Sequence, residues 1–460
     1  MKKTLVVSFA LLLLKTPFLL GAQNPSLDVT FNPGTGPNAT VYSIAQQTNG
    51  YMVIGGAFST FNGSSQHYIT RLDPFGNLDS SFYVGVGPSA AVMAVGLQAN
   101  NQIIIGGTFT SINGITKSFI ARLRADGSVD TSFTNAADYI VNQISMQTNG
   151  TALLGGRFTT FNGLARNGVA LLKSDGTLNP NFDPASGLSG ATVNAVVMQT
   201  DGYVILAGQT NSNGSIFLVR VNASGTVDPT FDTGTISGNL YGVISAISAL
   251  ALQTNNQLIV GGNFQNINGY SRINIARLNT DGSMDTGFVP PIINGTILSI
   301  AMQRDGKIII TGTFNNIAGN TQVGVARLNT NGSFDAAFNP QLPTGGSVAV
   351  YTQFLQPDGK LILGGGFNSI NSTNIVNLAR LNSDGINANT PQFLGLQVYA
   401  GMYLAGTTTN LYRIESTAKL TTQSLWTPIT NITLPSSPYL YFDLTSPGNS
   451  SRFYRMVTLE

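Results

Sequence analysis

A unit of about fifty residues recurs seven times along this chain and constrains its fold more than any other feature. Its landmark is a Gln, a three-residue turn ending in Gly or Asn, an apolar run, and a small residue followed by Gly. The Gln residues are Gln47, Gln98, Gln147, Gln199, Gln253, Gln303 and Gln356, each nine residues before the second member of its pair. A fixed period of this length means one supersecondary unit that cannot bury its apolar surface alone and must stack on its neighbours.

The unit reads as four short strands. In the fifth copy they fall near Ile247–Gln253, Gln257–Phe264, Ile273–Asn279 and Ser283–Phe288, with a loop through Asn268-Gly269 between the second and third. The other two links are tight three-residue hairpins, whose last place favours a left-handed residue. Gly or Asn stands there throughout, as at Gly50 and Asn101 before the second strand and Gly282 before the fourth. Second strands such as Ile103-Ile104-Ile105 and Ile308-Ile309-Ile310 do not alternate, so both their faces must be covered. Sheets stacked face to face around an axis provide that cover. The expected fold is all-β: a seven-bladed β-propeller of four-stranded antiparallel blades over residues 23–390, with a small sandwich-like β module at 391–460.

Hairpin register adds a check. Counting across the third–fourth strand turn sets Arg71 against Asp79, Arg122 against Asp130, Arg220 against Asp228, Arg277 against Asp285 and Arg327 against Asp335. In the third copy both members change together, to Leu171 and Asn179. The seventh copy keeps Arg380 but has Ala388 in place of the Asp. Ser26–Phe31 matches the fourth-strand pattern, so this N-terminal strand, residues 26–31, is expected to close the last blade with Asp28 beside Arg380.

These landmarks, with Ala-Arg-Leu-x-x-Asp/Asn-Gly-Ser-x-Asp-x-x-Phe as in Ala326–Phe338, resemble the bacterial delta-60 repeat over about residues 26–385. The resemblance implies a propeller of undefined biochemical function, mostly in exported proteins, with no catalytic residues to carry over. The fourth copy departs, having Ala207-Gly208 and a shorter loop. The tail, with Tyr412-Arg-Ile-Glu-Ser, Trp426-Thr-Pro-Ile-Thr-Asn and Arg452-Phe-Tyr-Arg, is more weakly similar to C-terminal modules of exported proteins in environmental bacteria. Its candidate strands are Leu394–Tyr399, Met402–Ala405, Leu411–Glu415, Tyr439–Asp443 and Arg452–Thr458, and Trp426 is read as core.

Residues 1–22 have a basic start, a short apolar run and small residues at the end, the pattern of a secretory signal peptide. Removing them takes away three of 22 basic residues, leaving 19 against 20 acidic. A near-neutral surface argues against nucleic acid or membrane lipid as partners. The expected location is extracellular or on a bacterial cell surface, with no membrane insertion after cleavage, and the expected state is a monomer.

Chemistry is sparse. The chain has no Cys, one His (His67) and two Glu, Glu415 and Glu460. No catalytic, cofactor-binding or metal-binding residue is assigned, and no cofactor is expected. His67 reads as an ordinary loop residue, the Asp-Gly turns as turns rather than calcium loops, and the Gly pairs as strand residues rather than phosphate cradles. The seven Gln side chains read as supports for turns or neighbouring blades. Spacing varies most between blades: Phe to the next Gln is 16 residues from Phe31, 14 from Phe133, 22 from Phe231 and 18 from Phe338. Any ligand site is therefore expected on the face carrying those connections and the second–third strand loops, biased towards Asp232–Ser245. The functional expectation is a non-enzymatic scaffold binding a protein or glycan. The alternatives are a secreted polysaccharide lyase or hydrolase, and a purely structural surface protein.

Overall fold

The structure is a computed structural model. It describes residues 25–184, 188, 190–210, 215–238, 246–344 and 348–382, and in the C-terminal part 400–404, 407, 410–417, 425–434, 439–443 and 453–459. The residues read as a signal peptide lie outside these. The chain divides into two compact units, Met1–Thr390 and Pro391–Glu460. Among the described residues there is no helix.

The first unit is a ring of seven antiparallel sheets. The first strands are Val41–Gln46, Val92–Leu97, Val141–Met146, Ala191–Met198, Ala246–Leu252, Ile297–Met302 and Ala349–Leu355. Each touches the first strand on either side, and the last returns to the first, which closes the ring around an axis. The second strands of blades 1, 2, 3, 5 and 6, such as Ile103–Gly107 and Ile308–Gly312, are buried at every residue, as their unbroken apolar runs require, and those of blades 4 and 7 are buried except at their ends. The third strands include Ile69–Leu72, Ile275–Leu278 and Leu378–Asn382. The core lies between sheets: Val53 of blade 1 packs with Val92, Ile103 and Phe109 of blade 2.

Six blades are three-stranded, not four-stranded as the sequence suggests. In blade 5 the fourth segment keeps one bridge, Leu278 to Met284, and one further bond from Asp285 N–H to the Arg277 carbonyl. The Asp285 carboxylate then accepts the Gly287 N–H at 2.8 Å, and the chain curls instead of running on. The curl drops Phe288, fully buried, into the blade interface.

Among the described residues, blade 7 alone carries a fourth strand, and it comes from the N-terminal segment. Ser26 pairs with Asn382 and Leu27 with Leu381. Arg380 Nε donates to Asp28 Oδ2 at 2.7 Å, and Arg380 Nη1 donates to the Pro74 carbonyl of blade 1 at 2.8 Å. The same clasp repeats elsewhere. Arg71, Arg122, Arg220 and Arg277 each hold the Asp of their own blade and a turn carbonyl of the next, at Ala125, Asp175, Thr280 and Thr330. Each of these guanidiniums also lies within about 5 Å of its own blade's Phe ring.

Blade 3 has Leu171 and Asn179 at the clasp positions, and no Arg–Asp ion pair there. Introducing Leu171→Arg with Asn179→Asp should restore the pair. In a double-mutant cycle followed by urea denaturation, the coupling should be favourable by about 1 kcal/mol. A coupling of zero would mean that the clasp contributes nothing beyond packing.

The second unit has two antiparallel sheets. Ala400–Leu404 pairs with Tyr439–Asp443, and Leu411–Thr417 lies between Thr427–Thr433 and Phe453–Thr458. Thr427–Thr433 was hidden from sequence reading by Pro428, while the candidate Leu394–Tyr399 lies outside the described residues. Tyr412, Ile414 and Leu434 form its buried cluster. Trp426 is half-buried and not part of that cluster, contrary to its reading as core.

Candidate functional site

The landmark pair has a steric origin. At the first position, a Cβ on Gly55, Gly106, Gly261 or Gly364 would lie within 2.8 Å of a Val or Ile of the next blade's first strand. At the second position, a Cβ would lie 1.9–2.3 Å from a carbonyl of the same blade at or just before the start of its first strand: Thr40 for Gly56, Ala91 for Gly107, Thr192 for Gly208, Thr296 for Gly312. The second strand therefore ends pressed against the start of the first.

That contact sits beside a bulge in all seven blades. The ladder between first and second strands skips one residue: Tyr42, Met93, Asn142, Asn194, Ser248, Leu298 and Tyr351. The residue before each is a Val or Ile with no exposed surface. Each skipped residue is at least partly exposed. Since the first strands are innermost, these bulges lie beside the axis. Tyr42 and Tyr351, from neighbouring blades, meet edge to face with ring centroids 5.2 Å apart. Burial, then the Tyr351 ring, raises the Tyr42 phenol above its ordinary value and keeps it a neutral donor. The ring of seven has an apolar arc, Leu298, Tyr351, Tyr42 and Met93, and a polar arc, Asn142, Asn194 and Ser248. None is charged. Asn142 Oδ1 is buried without a protein hydrogen-bond partner.

Around this mouth stands a crown that sequence reading treated as loop. In blades 1, 2, 3, 5, 6 and 7 the second–third strand connection is a miniature hairpin, such as Thr60–Phe61 with Ser64–Ser65. In blade 1 its turn is Asn62-Gly63, at φ +50° and +73°, the two-residue type that matches strand twist. The Asn-Gly pairs were the available signal. The connection arriving from the previous blade lies along each hairpin: Pro37 bridges Phe61, Pro88 bridges Ile112, and Ala137 bridges Phe161. Asn38, Asp138 and Asn294 each accept two hairpin N–H groups. Of the long loop Asp232–Ser245, Ile236–Ser237 joins the blade 5 hairpin, and 239–245 lie outside the described residues.

The other singled-out residues find structural partners. His67 is in the blade 1 crown, 2.9 Å from Ser65 Oγ. Among the described residues no group of three His, Cys, Asp or Glu could hold a metal. Asp126, Asp175 and Asp281 accept from Ser or Thr two residues on, and those bonds lower their carboxyls. Gln98 Nε2 reaches across to the Ser174 carbonyl of blade 3 at 2.9 Å, on the face opposite the crown.

Residues 47–82, 98–133, 147–182, 199–231, 253–288, 303–338 and 356–385 match the family described as "Domain of unknown function (DUF5122) beta-propeller". No curated protein matches the chain in sequence. Similar solved structures include the WD40 β-propeller domain of Doa1, with 16% identity, 78% of this chain and 96% of that chain covered, and a TM-score of 0.49. Another is a catalytically inactive virginiamycin B lyase from Staphylococcus aureus, at 15%, 76%, 97% and 0.42. A third is PorZ, a bacterial surface component of the type-IX secretion system of Porphyromonas gingivalis, at 12%, 93%, 59% and 0.46. The seven matched repeats cover more than half of the chain, which therefore belongs to the DUF5122 β-propeller family.

Proposed function

We propose that the protein is an exported, non-enzymatic binding scaffold whose crown face seats part of a glycan or protein over the axial mouth. One observation carries this reading. Seven copies of one backbone device present seven positions occupied by five kinds of residue, while the flanking Val or Ile and the second Gly hold throughout. Rigid support under variable side chains is the arrangement of a recognition surface. The ring's lack of charge suits an uncharged part of the ligand, with the Tyr pair as stacking surface and the Asn amides as hydrogen-bonding groups. The leader composition supports export, and the landmark pattern supports the delta-60 type of repeat. The sparse acid–base chemistry favours a monomeric binder over a lyase or hydrolase.

The test is retention of the purified chain on a panel of immobilised polysaccharides and surface proteins, with product release followed in parallel. Tyr42→Ala with Tyr351→Ala should weaken retention at least tenfold, since aromatic stacking is worth about 1–3 kcal/mol per ring, with thermal stability little changed. Undiminished retention would remove the mouth from consideration, and steady product release would make the protein an enzyme.

A further inference from the structure

The sevenfold repeat is its own control: what one blade has and the other six lack is not needed by the scaffold. Blade 3 stands out. Two residues before the buried Val or Ile of the first strand it has Tyr139, where other blades have Ala39, Ala90, Ala191, Gly295 and Val348. Directly after its Gly pair it has Arg157, where the others have Ala57, Thr108, Gln209, Asn263, Thr313 and Gly366. The two unusual residues occur together and touch. The Arg157 guanidinium lies 5.5 Å from the centroid of the Tyr139 ring. The Arg157 N–H bonds to the Ile140 carbonyl, two residues before Asn142 of the mouth.

Arg157 is exposed and forms no ion pair among the described residues. The arginine clasps, by contrast, each hold a carboxylate. Stacking on Tyr139 orients the planar fork and leaves its donor edge open. Phe119 of blade 2 packs on Tyr139 at 5.7 Å and holds φ +62°, as Tyr68 of blade 1 does at +65°, where blades 5 and 7 have Asn274 and Asn377. A bulky aromatic in the left-handed region is strained. Beside Tyr139 lies an open depression of ≈ 410 Å³, lined by Thr134, Ala136, Asp138, Thr160 and Asn162. Asp138 Oδ1 accepts two backbone N–H groups and Oδ2 accepts the Thr159 hydroxyl, and the Thr160 side chain also hydrogen-bonds the carboxylate. Arg157 is not in the lining but stands two residues before Thr159, whose hydroxyl Asp138 accepts, so a carboxylate acceptor for hydroxyl donors and an unpaired fork for an anion lie along one stretch of the blade.

We propose that blade 3 carries a subsite for an acidic saccharide: the sugar ring sits in the depression, its hydroxyls donate to Asp138, and its carboxylate is held by Arg157. The assignment rests on the crown-binding reading above and names the ligand class. An acidic peptide would gain from Arg157 but lacks the ring of adjacent hydroxyl donors that suits Asp138.

The test is calorimetric titration of the full chain with trimers of galacturonic, glucuronic and mannuronic acid, and with methyl-esterified trigalacturonate as the uncharged counterpart. At least one acid should bind, at least about tenfold more tightly than a neutral trimer of the same ring. Arg157→Gln should remove that preference, Arg157→Lys should restore only part of it, and Tyr139→Ala should weaken binding. If no acid binds, if the ester of a bound acid binds equally, or if Arg157→Gln is silent, the subsite is refuted. The Tyr42→Ala, Tyr351→Ala double variant is titrated alongside. Loss there with Arg157→Gln silent refutes this subsite and leaves the mouth reading. Loss only in Arg157→Gln supports the subsite and refutes the mouth.

Discussion

Replacing Asp28 by Asn should destabilise the propeller by on the order of 3–5 kcal/mol, more than the same change in any other blade. Asp28 has no exposed surface and receives both Arg380 Nε at 2.7 Å and Lys360 Nζ at 2.8 Å. Asn keeps the turn acceptor that Thr30 N–H uses but leaves two cations facing each other without an anion. The comparison variant is Asp285→Asn. Asp285 keeps 16% of its side chain exposed and is covalently continuous with its own blade. Asp28 instead joins residues 352 apart in sequence, so its loss frees the N-terminal strand as well as one pair.

The pH dependence carries the same signature. Burial pushes the Asp28 carboxyl up, but hydrogen bonds from Lys360 and Thr30, with the Arg380 charge, outweigh it and hold the group at about 2 against an ordinary 3.8. A lowered folded value means stability that is present above pH 3.8 and is lost as pH falls towards 2. The size of that loss is about 2 kcal/mol. Acid titration of denaturation midpoints should show it in the native chain and not in Asp28→Asn. Equal losses for Asp28→Asn and Asp285→Asn would show that the closing pair is an ordinary clasp.

Much of this was legible because repetition multiplies weak signals. One Arg and one Asp eight apart mean little, whereas their joint replacement by Leu171 and Asn179 marks them as partners before any coordinates are seen. The missing Asp of the seventh copy directed attention to Asp28 in the same way. The turn residues were read correctly from left-handed tolerance alone: Gly50 stands at φ +87°, Asn101 at +61° and Gly282 at +88°.

What stayed hidden depends on geometry between segments. The fourth segment read as a strand because Ser283–Phe288 has strand composition. The side-chain acceptor of Asp285 ends it, and that competition between side chain and ladder is invisible in a propensity count. The crown hairpins are too short to show a period, so only their Asn-Gly turns announced them. The bulges could not be read at all, because a skipped residue leaves the apolar pattern on both sides intact. Tyr42 and Tyr351 therefore looked like any other strand residues, and Tyr139 and Arg157, eighteen apart in sequence, gave no sign of meeting.

The Gly pair was read as a landmark without a reason, and its reason leads to the second large effect. Gly312→Ala places a Cβ 2.0 Å from the Thr296 carbonyl oxygen, a backbone atom that cannot swing aside. The glycine is not among those with positive φ, so the whole penalty is contact. Overpacking a core by one methyl usually costs about 1–3 kcal/mol, and a clash with fixed backbone on both sides should exceed that range. Gly319 in the crown of the same blade is the matched control. It sits at φ +85° with nothing within 4 Å of its would-be Cβ, so Gly319→Ala should cost only the left-handed penalty of about 1–2 kcal/mol. Urea denaturation of the two variants separates contact from conformation. The effect should also reach the mouth, because Thr296 immediately precedes Ile297 and the bulged Leu298. Relief of the clash must lift the start of that strand, which turns Leu298 out of the ring. Gly312→Ala should therefore weaken any ligand that depends on Tyr42 and Tyr351 even where the protein remains folded, and Gly319→Ala should not. If Gly312→Ala proved the milder of the two, the second Gly would not be what holds the bulge in place.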